Sequence, residues 1–190
     1  MLFYSLMVKP LILAVGAIPV FFAILIMVPM VTTPETPISA INPNDTIEIE
    51  YTKHDLTTVS FGVTEKIVAQ NTQILTINND GTAEYNEIKD GSDQSQITSS
   101  ISNQQLQKLT ALIKETGFMS IPKEPFPIMD DVDDYTKSTI KITFNGNETQ
   151  IFWPEQDATE KLIPPIITMI ESELQEIINQ IIEQIVMTRF

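Results

Sequence analysis

The chain has 190 residues, contains no cysteine and carries a formal net charge of −14. The lack of cysteine excludes disulfides, thiolate metal sites and cysteine nucleophiles, and the negative charge opposes nucleic-acid binding. Hydrophobic residues make up 43% of the sequence, which suffices for one packed core. We therefore expect a single acidic domain with no cofactor and no nucleic-acid partner.

The first element in chain order is an uncharged apolar run from Leu11 to Val31. As a helix with a rise of ~1.5 Å per residue it would span about 30 Å, the thickness of a bilayer's hydrocarbon core. It is also longer than the apolar region of a cleaved signal peptide. Lys9 precedes it and the first charges after it are acidic. The positive-inside rule thus predicts a single-pass cell-membrane protein with residues 1–31 as cytoplasmic N-terminus and transmembrane helix, and the C-terminal domain outside the cytoplasm.

Residues 32–45 carry three prolines among Thr, Ser and Asn, which predicts a semi-extended linker before a domain at residues 46–190. Alternating apolar residues predict a strand at 47–51 and a second strand at 57–63. Two hairpins are predicted farther along, because alternating runs flank Asn79-Asp80-Gly81 and, later, Asn145-Gly146-Asn147.

Two helices complete the predicted domain. Ser102 and Gln105 have the spacing of a capping box, and Gly117 ends the apolar stripe that follows. The second helix, at about 165–187, would be about 33 Å long, more than a small sheet covers. Its apolar stripe either contacts a partner protein or a second copy of this chain, or is covered by the sheet and the first helix. The interaction-helix hypothesis rests on Leu174, Ile177, Ile181 and Ile185.

Together these elements predict an α+β domain in which two helices, the C-terminal one long, pack on an antiparallel sheet of four to six strands. Few residues in it point to catalysis. His54 is the sole histidine and is expected in an exposed loop. The sequence contains no G-x-S-x-G elbow, P-loop or H-E-x-x-H motif, so we predict no catalytic residues.

An acidic cluster is the one candidate metal site, because calcium prefers carboxylates on a flexible loop. The alternative interpretation is a solvated loop that keeps the domain soluble. The cluster consists of Asp130, Asp131, Asp133 and Asp134.

The order of the motifs resembles a known family. A strand (VSFGV) and a hairpin precede SNQQLQKLTALIKETGFMSIP, then DDYTKSTIKITFNGNETQIFW and a proline-started helix, LIPPIITMIESEL. This layout is similar to that of emfourin-like domains, small proteinaceous inhibitors of thermolysin-family metallopeptidases. The resemblance implies an α+β fold and peptidase inhibition. Unlike those inhibitors, this chain adds an apolar N-terminal run, a proline linker and a longer last helix.

We therefore expect a membrane-anchored extracytoplasmic binding module without catalytic activity, of which peptidase inhibition is one form. Two alternatives stay open. The first is a hydrolase that uses carboxylates alone, which would need two buried acids facing each other in a pocket, one with a raised pKa. The second is a structural envelope component that oligomerises through its C-terminal helix.

Overall fold

The computed structural model describes residue 42 and residues 44–188, except for the side chains of residues 185, 186 and 188. These residues belong to one compact unit, residues 37–190. The predicted transmembrane helix at 1–31 and most of the predicted linker at 32–45 lie outside the described residues. Over the described range, none of the helices is both long enough and apolar enough to cross a bilayer.

The described residues form an α+β domain with an antiparallel sheet and two helices, as the sequence predicts. The sheet has seven strands rather than four to six. The unpredicted ones are two short strands, Ser92–Asp93 and Ile97–Ser100, on either side of a short polar segment. The strands are β1 Ile47–Phe61, β2 Thr64–Ile77, β3 Thr82–Lys89, β4 Ser92–Asp93, β5 Ile97–Ser100, β6 Asp134–Phe144 and β7 Asn147–Pro154. The helices are α1 Asn103–Glu115 and α2 Pro165–Thr188, and short 3-10 turns occupy Phe118–Ser120 and Gln156–Ala158.

Strand β1 lies in the middle of the sheet. The strand order is β4-β3-β2-β1-β6-β7, and β5 pairs with β3 beside β4. The prediction of separate strands at 47–51 and 57–63 is wrong, because β1 is continuous over 15 residues. Its polar middle, from Thr52 to Asp55, looks like a loop in the sequence but pairs with β2 and β6 on both sides. A register shift between Asp55 and Leu56 marks a bulge in the β1–β2 pairing.

The predicted turn and cap signals are confirmed. Asn145 (φ 49°) and Gly146 (φ 78°) join β6 to β7 with two consecutive positive φ angles, as a type I′ hairpin turn requires. The Ser102 hydroxyl accepts a hydrogen bond from the Gln105 amide (3.2 Å), while the Ser102 amide donates to Gln105 Oε1 (3.0 Å). Gly117, at φ 72°, follows the end of α1.

The core lies between the helices and one face of the sheet. Ile49 and Tyr51 of β1 pack there with Ile140 and Ile142 of β6, and all four are fully buried. Both helices contribute to this core, α1 with Leu109 and Ile113 among others. The opposite face carries the alternate residues, such as Glu50 and Lys141, which are 3.3 Å apart across β1 and β6. One apolar and one polar face is the usual pattern of an antiparallel sheet covered on one side.

Candidate functional site

A carboxylate in the second helix joins α2 to three strands. Glu171 Oε1 accepts hydrogen bonds from the hydroxyls of Tyr51 (2.9 Å) and Ser138 (2.8 Å). Its Oε2 accepts one from Trp153 Nε1 at 3.1 Å. The three donors lie on β1, β6 and β7, and each is at least 98% buried. Because three of the roughly four lone-pair positions of the carboxylate are used, Glu171 fixes the helix on the sheet.

The environment of Glu171 favours the protonated phenol of Tyr51. Burial raises the pKa of Tyr51 well above its ordinary value, and the nearby charge of Glu171 raises it further, while the hydrogen bond to Ser138 acts in the opposite direction. The raised pKa keeps the Tyr51 phenol protonated at neutral pH, so it acts as a hydrogen-bond donor to Glu171. The network is a set of neutral donors around one acceptor, an arrangement that positions a helix.

Two cavities lie beside this network and share Lys53, Thr168 and Glu171 in their walls. Their volumes are about 460 and 240 Å³. Lys53 makes no ion pair with any described residue. The smaller cavity also contacts Glu155. Both cavities are thus open to water, and Lys53 brings to them an ammonium group without an ion-pair partner among the described residues.

The four aspartates of the predicted calcium site lie before and at the start of β6. All four are exposed, and Asp134 already belongs to the strand. Over the part of the chain that the structure describes, no three His, Asp or Glu side chains are arranged to hold a metal ion.

The histidine is placed differently from the prediction. His54 is a half-buried residue of β1 rather than part of an exposed loop, and its Nδ1 lies 2.9 Å from the hydroxyl of Thr72. Burial lowers the pKa of His54 below 6.5, and the charge of Lys137 lowers it further, against a smaller opposite effect of Asp55. The neutral ring is therefore favoured in the folded chain.

The apolar stripe of the C-terminal helix packs inside the domain. Leu174, Ile177 and Ile181 are each at least 97% buried in the chain's own core. Helix α1 contributes to the covering, since Gln105 donates to Gln180 and Lys108 Nζ lies 2.6 Å from Glu173. The sheet and α1 therefore cover α2 as far as Ile181, and these three side chains are not available to a partner helix. The side chain of Ile185 lies outside the described residues.

One free surface of the described domain is a two-stranded extension of the sheet. Strands β1 and β2 continue beyond their other neighbours, since β6 pairs with β1 only up to Thr57 and β3 pairs with β2 only from Asn71. Two backbone hydrogen bonds hold the base of this extension, one from Thr58 N to Asp133 O (2.7 Å) and one from Asp90 N to Gln70 O (2.9 Å). We call residues 59–69, beyond this base, the hairpin arm.

The end of the hairpin arm is apolar and exposed. Phe61 is 60% exposed, Val63 104% and Ile67 60%. Gly62, at φ 72°, and Val63 form the two-residue turn between paired Phe61 and Thr64, a positive φ at the first turn position being typical of type II′. The arm carries two charged residues, Glu65 and Lys66, whose opposite charges give it no net charge. Because Ile67 pairs with Thr58, it lies on the face of the hairpin opposite to Phe61, so the arm exposes apolar side chains on both faces. Large exposed apolar side chains on a projecting segment are typical of an interaction surface.

Comparison with protein families identifies a match over residues 71–178, more than half of the chain, to the model described as "Domain of unknown function (DUF6438)". The chain belongs to this family. A comparison with curated proteins finds no match.

The DUF6438 match covers most of the domain but neither β1 nor the hairpin arm. It begins at Asn71, where β2 starts to pair with β3, and ends at Ile178 in α2. Glu171, Ser138 and Trp153 lie within it, whereas Tyr51 and Lys53 come from β1, before it. The helix-fixing carboxylate is therefore part of the matched region, and the arm precedes it.

Sequence reasoning missed both the Glu171 network and the arm. The arm carried a usable signal, because Gly62 separates two runs rich in β-branched residues, 57–61 and 64–68. The network had none, since Tyr51 and Glu171 are 120 positions apart and one glutamate among many on a helix looks like a solvated residue.

Proposed function

We propose that the protein is a membrane-anchored extracytoplasmic binding module without catalytic activity, and that the hairpin arm is its protein-binding surface. The exposure of Phe61, Val63 and Ile67 at the end of a well-anchored hairpin carries this proposal. Exposed apolar area on a preformed hairpin costs little conformational entropy to bury in a partner, because the backbone is already ordered.

The anchor and the location follow from the uncharged run Leu11 to Val31 and the charges around it. A tethered domain is restricted to partners near the membrane, which raises the effective concentration of a partner in the same membrane. This supports a role at the cell surface.

The partner class that we propose is a thermolysin-type metallopeptidase, on the basis of the emfourin-like order of motifs. A β-hairpin with apolar side chains at its turn suits a protease cleft, where an extended segment forms main-chain hydrogen bonds and side chains fill pockets. The hairpin arm has free edges on both sides beyond Thr57 and Asn71.

A carboxylate hydrolase is less well supported. Among the described residues three carboxyl groups have a displaced pKa, Asp45, Asp80 and Glu124, and hydrogen bonds lower the pKa of each. A general acid requires the opposite direction. An envelope oligomer built on α2 is also disfavoured, because Ile177 and Ile181 already fill the core.

The first test measures inhibition of several thermolysin-type peptidases by the full chain in detergent micelles. We expect stoichiometric inhibition that is lost in the double variant Phe61→Ser/Val63→Ser. The matched control, Glu65→Ser/Lys66→Ser, changes two polar residues of the same arm and should inhibit as well as the wild type. Failure to inhibit any of these enzymes removes the proposed partner class.

The second test asks whether the arm contacts a protein at all. A photoreactive amino acid replaces Val63 in native membranes, with a replacement of exposed Lys89 on the body of the sheet as the control. A protein adduct at position 63 that is missing at position 89 supports the arm as a binding surface. Adducts with lipid alone, or equal adducts at both positions, would overturn it.

A further inference from the structure

The free edge of the sheet at β7 borders a second, separate surface. Strand β7 is the last in the strand order, and its described residues make backbone hydrogen bonds to β6 alone. The loop after α1 runs alongside this edge, and Pro122, Pro125 and Pro127 deprive it of three amide donors. Among the described residues no backbone hydrogen bond joins this loop to β7, so the outward backbone groups of the strand on that side stay free.

A groove separates the loop from the strand. Its volume is about 430 Å³. The loop contributes Pro125, Phe126 and Ile128 to the walls, and Phe152 of β7, half exposed, contributes a further ring. The groove thus combines an unpaired strand edge with apolar walls, which is how domains that bind peptides by strand addition are built.

The loop is held in place, so the groove exists before a ligand binds. At its start, Met119 O accepts a hydrogen bond from Thr149 Oγ1 of β7 (3.4 Å). In its middle, Lys161 Nζ contacts Pro125 O (3.2 Å) and lies 4.9 Å from the centre of the Phe126 ring. At its end, Met129 N donates to Ala158 O (3.0 Å). A preformed groove avoids the entropy of ordering a loop on binding.

The charges at the groove define its ligand. Lys123 and Lys137 line it, and neither forms an ion pair with a described residue. Lys137 Nζ lies 6.0 Å from the centre of the Phe152 ring. The acid of the groove, Glu124, is bound to Lys161 at 2.8 Å. In a chain of net charge −14, two unpaired lysines beside one neutralised acid form a local site for negative charge.

We propose that β7 and the proline loop form a binding groove for an extended, acidic peptide segment that adds as a strand to the free edge of β7. Main-chain hydrogen bonds to β7 provide the affinity, an apolar side chain packs between Phe126 and Phe152, and carboxylates pair with Lys123 and Lys137. This surface is independent of the hairpin arm, and neither proposal requires the other.

Labelled model peptides test this inference with the full chain in detergent micelles. We expect the acidic strand-forming peptide TVEVEVT to bind by fluorescence anisotropy, and its basic counterpart TVKVKVT to bind about tenfold more weakly or worse. The peptide TVEPEVT has the same carboxylates but a proline in its middle, and it should not bind, because proline removes a ladder hydrogen bond. Hydrogen exchange should slow in residues 147–154 when TVEVEVT is present.

Two charge-reversed variants form a matched pair. Lys123→Glu/Lys137→Glu should weaken TVEVEVT binding about tenfold or more. Lys66→Glu/Lys89→Glu changes the net charge equally at two exposed positions away from the groove and should leave binding within about twofold. Near-native circular dichroism establishes that both variants fold.

Three results would overturn the inference: no binding of TVEVEVT at millimolar concentration, equal weakening in both variants, or protection from exchange outside β7. Variant Phe61→Ser/Val63→Ser separates the two proposals. It should bind TVEVEVT normally, whereas loss of binding would move the peptide site to the arm.

Discussion

The hydroxyl of Tyr51, in the central strand, donates a 2.9 Å hydrogen bond to Glu171 in the C-terminal helix. With Ser138 and Trp153 as further donors to the same carboxylate, this contact attaches α2 to β1, β6 and β7 at one point. A helix on a flat apolar face can slide with little loss of hydrophobic contact. A half-buried acceptor bound to three buried donors holds the helix in one position on the sheet.

Removing the carboxylate should destabilise the domain strongly. Glu171→Ala leaves the buried donors Tyr51, Ser138 and Trp153 without their acceptor, and each buried unsatisfied group costs about 1–3 kcal/mol. We expect a loss of about 3 kcal/mol or more in the free energy of unfolding, measured by urea denaturation with the fluorescence of Trp153, the one tryptophan. Glu173→Ala, two positions away in a surface ion pair with Lys108, should cost less than about 1 kcal/mol. Equal losses in the two variants would refute the role of Glu171.

The buried stripe of α2 should behave as core and not as an interface. Ile177→Ala leaves a cavity in the core and should cost about 2–5 kcal/mol. Met169→Ala on the same helix, where the side chain is half exposed, should cost less than about 1 kcal/mol. Ile177→Asp places a charge in the core and should unfold the domain, which circular dichroism would detect. A folded Ile177→Asp variant with a lower oligomeric mass would instead restore the interaction-helix hypothesis.

The β6–β7 turn should depend on the backbone freedom of Gly146. Its φ of 78° is unfavourable for residues with a Cβ, by about 1–2 kcal/mol, although the space around it is open. We therefore expect Gly146→Ala to lower the free energy of unfolding by about 1–2 kcal/mol. Gly146→Asn should lower it less, because asparagine tolerates this conformation. Urea denaturation measures which of the two variants is less stable. If the effect were purely steric, the larger asparagine would lower the free energy of unfolding more than alanine does.

Stability should fall as the solution becomes mildly acidic, and His54 should be one cause. The pKa of His54 is lowered in the folded chain, so below pH 6.5 the unfolded chain takes up its proton more readily. The resulting loss begins near that pH and stops below the folded-state pKa. His54→Gln should reduce the dependence of the free energy of unfolding on pH. Uptake of one full proton corresponds to ~1.4 kcal/mol per pH unit, and we expect only part of that because the ring is half exposed.

Asp45 separates this effect from carboxylate titration. Its hydrogen bonds with Lys114 and Asn145 lower the pKa of Asp45 to about 2, so the stability that they provide is lost only as the pH falls below its ordinary value of 3.8. Urea denaturation between pH 7 and 5 therefore isolates His54. An unchanged slope in His54→Gln would contradict the assignment.

Local chemistry made much of this fold predictable. Asn145-Gly146 specified its turn, and Ser102 with Gln105 specified the start of α1, because in each case the deciding contacts lie within a few residues. The continuous strand β1 was not predictable. Its polar segment Thr52–Asp55 gives no strand signal, and only pairing with β2 and β6 keeps it extended.

The sequence by itself determined the class of the domain, the hairpin turns at Asn79-Asp80-Gly81 and Asn145-Gly146, the helix boundaries and the absence of known catalytic motifs. The tertiary structure alone decided which apolar and charged residues are exposed. Ile177 and Ile67 are both isoleucines in amphipathic patterns, yet one is in the core and the other on the arm, because burial depends on which distant segments cover a side chain. For the same reason Glu171 is a helix-fixing acceptor and Lys123 and Lys137 line a groove: residues far apart in sequence had to meet before either role existed.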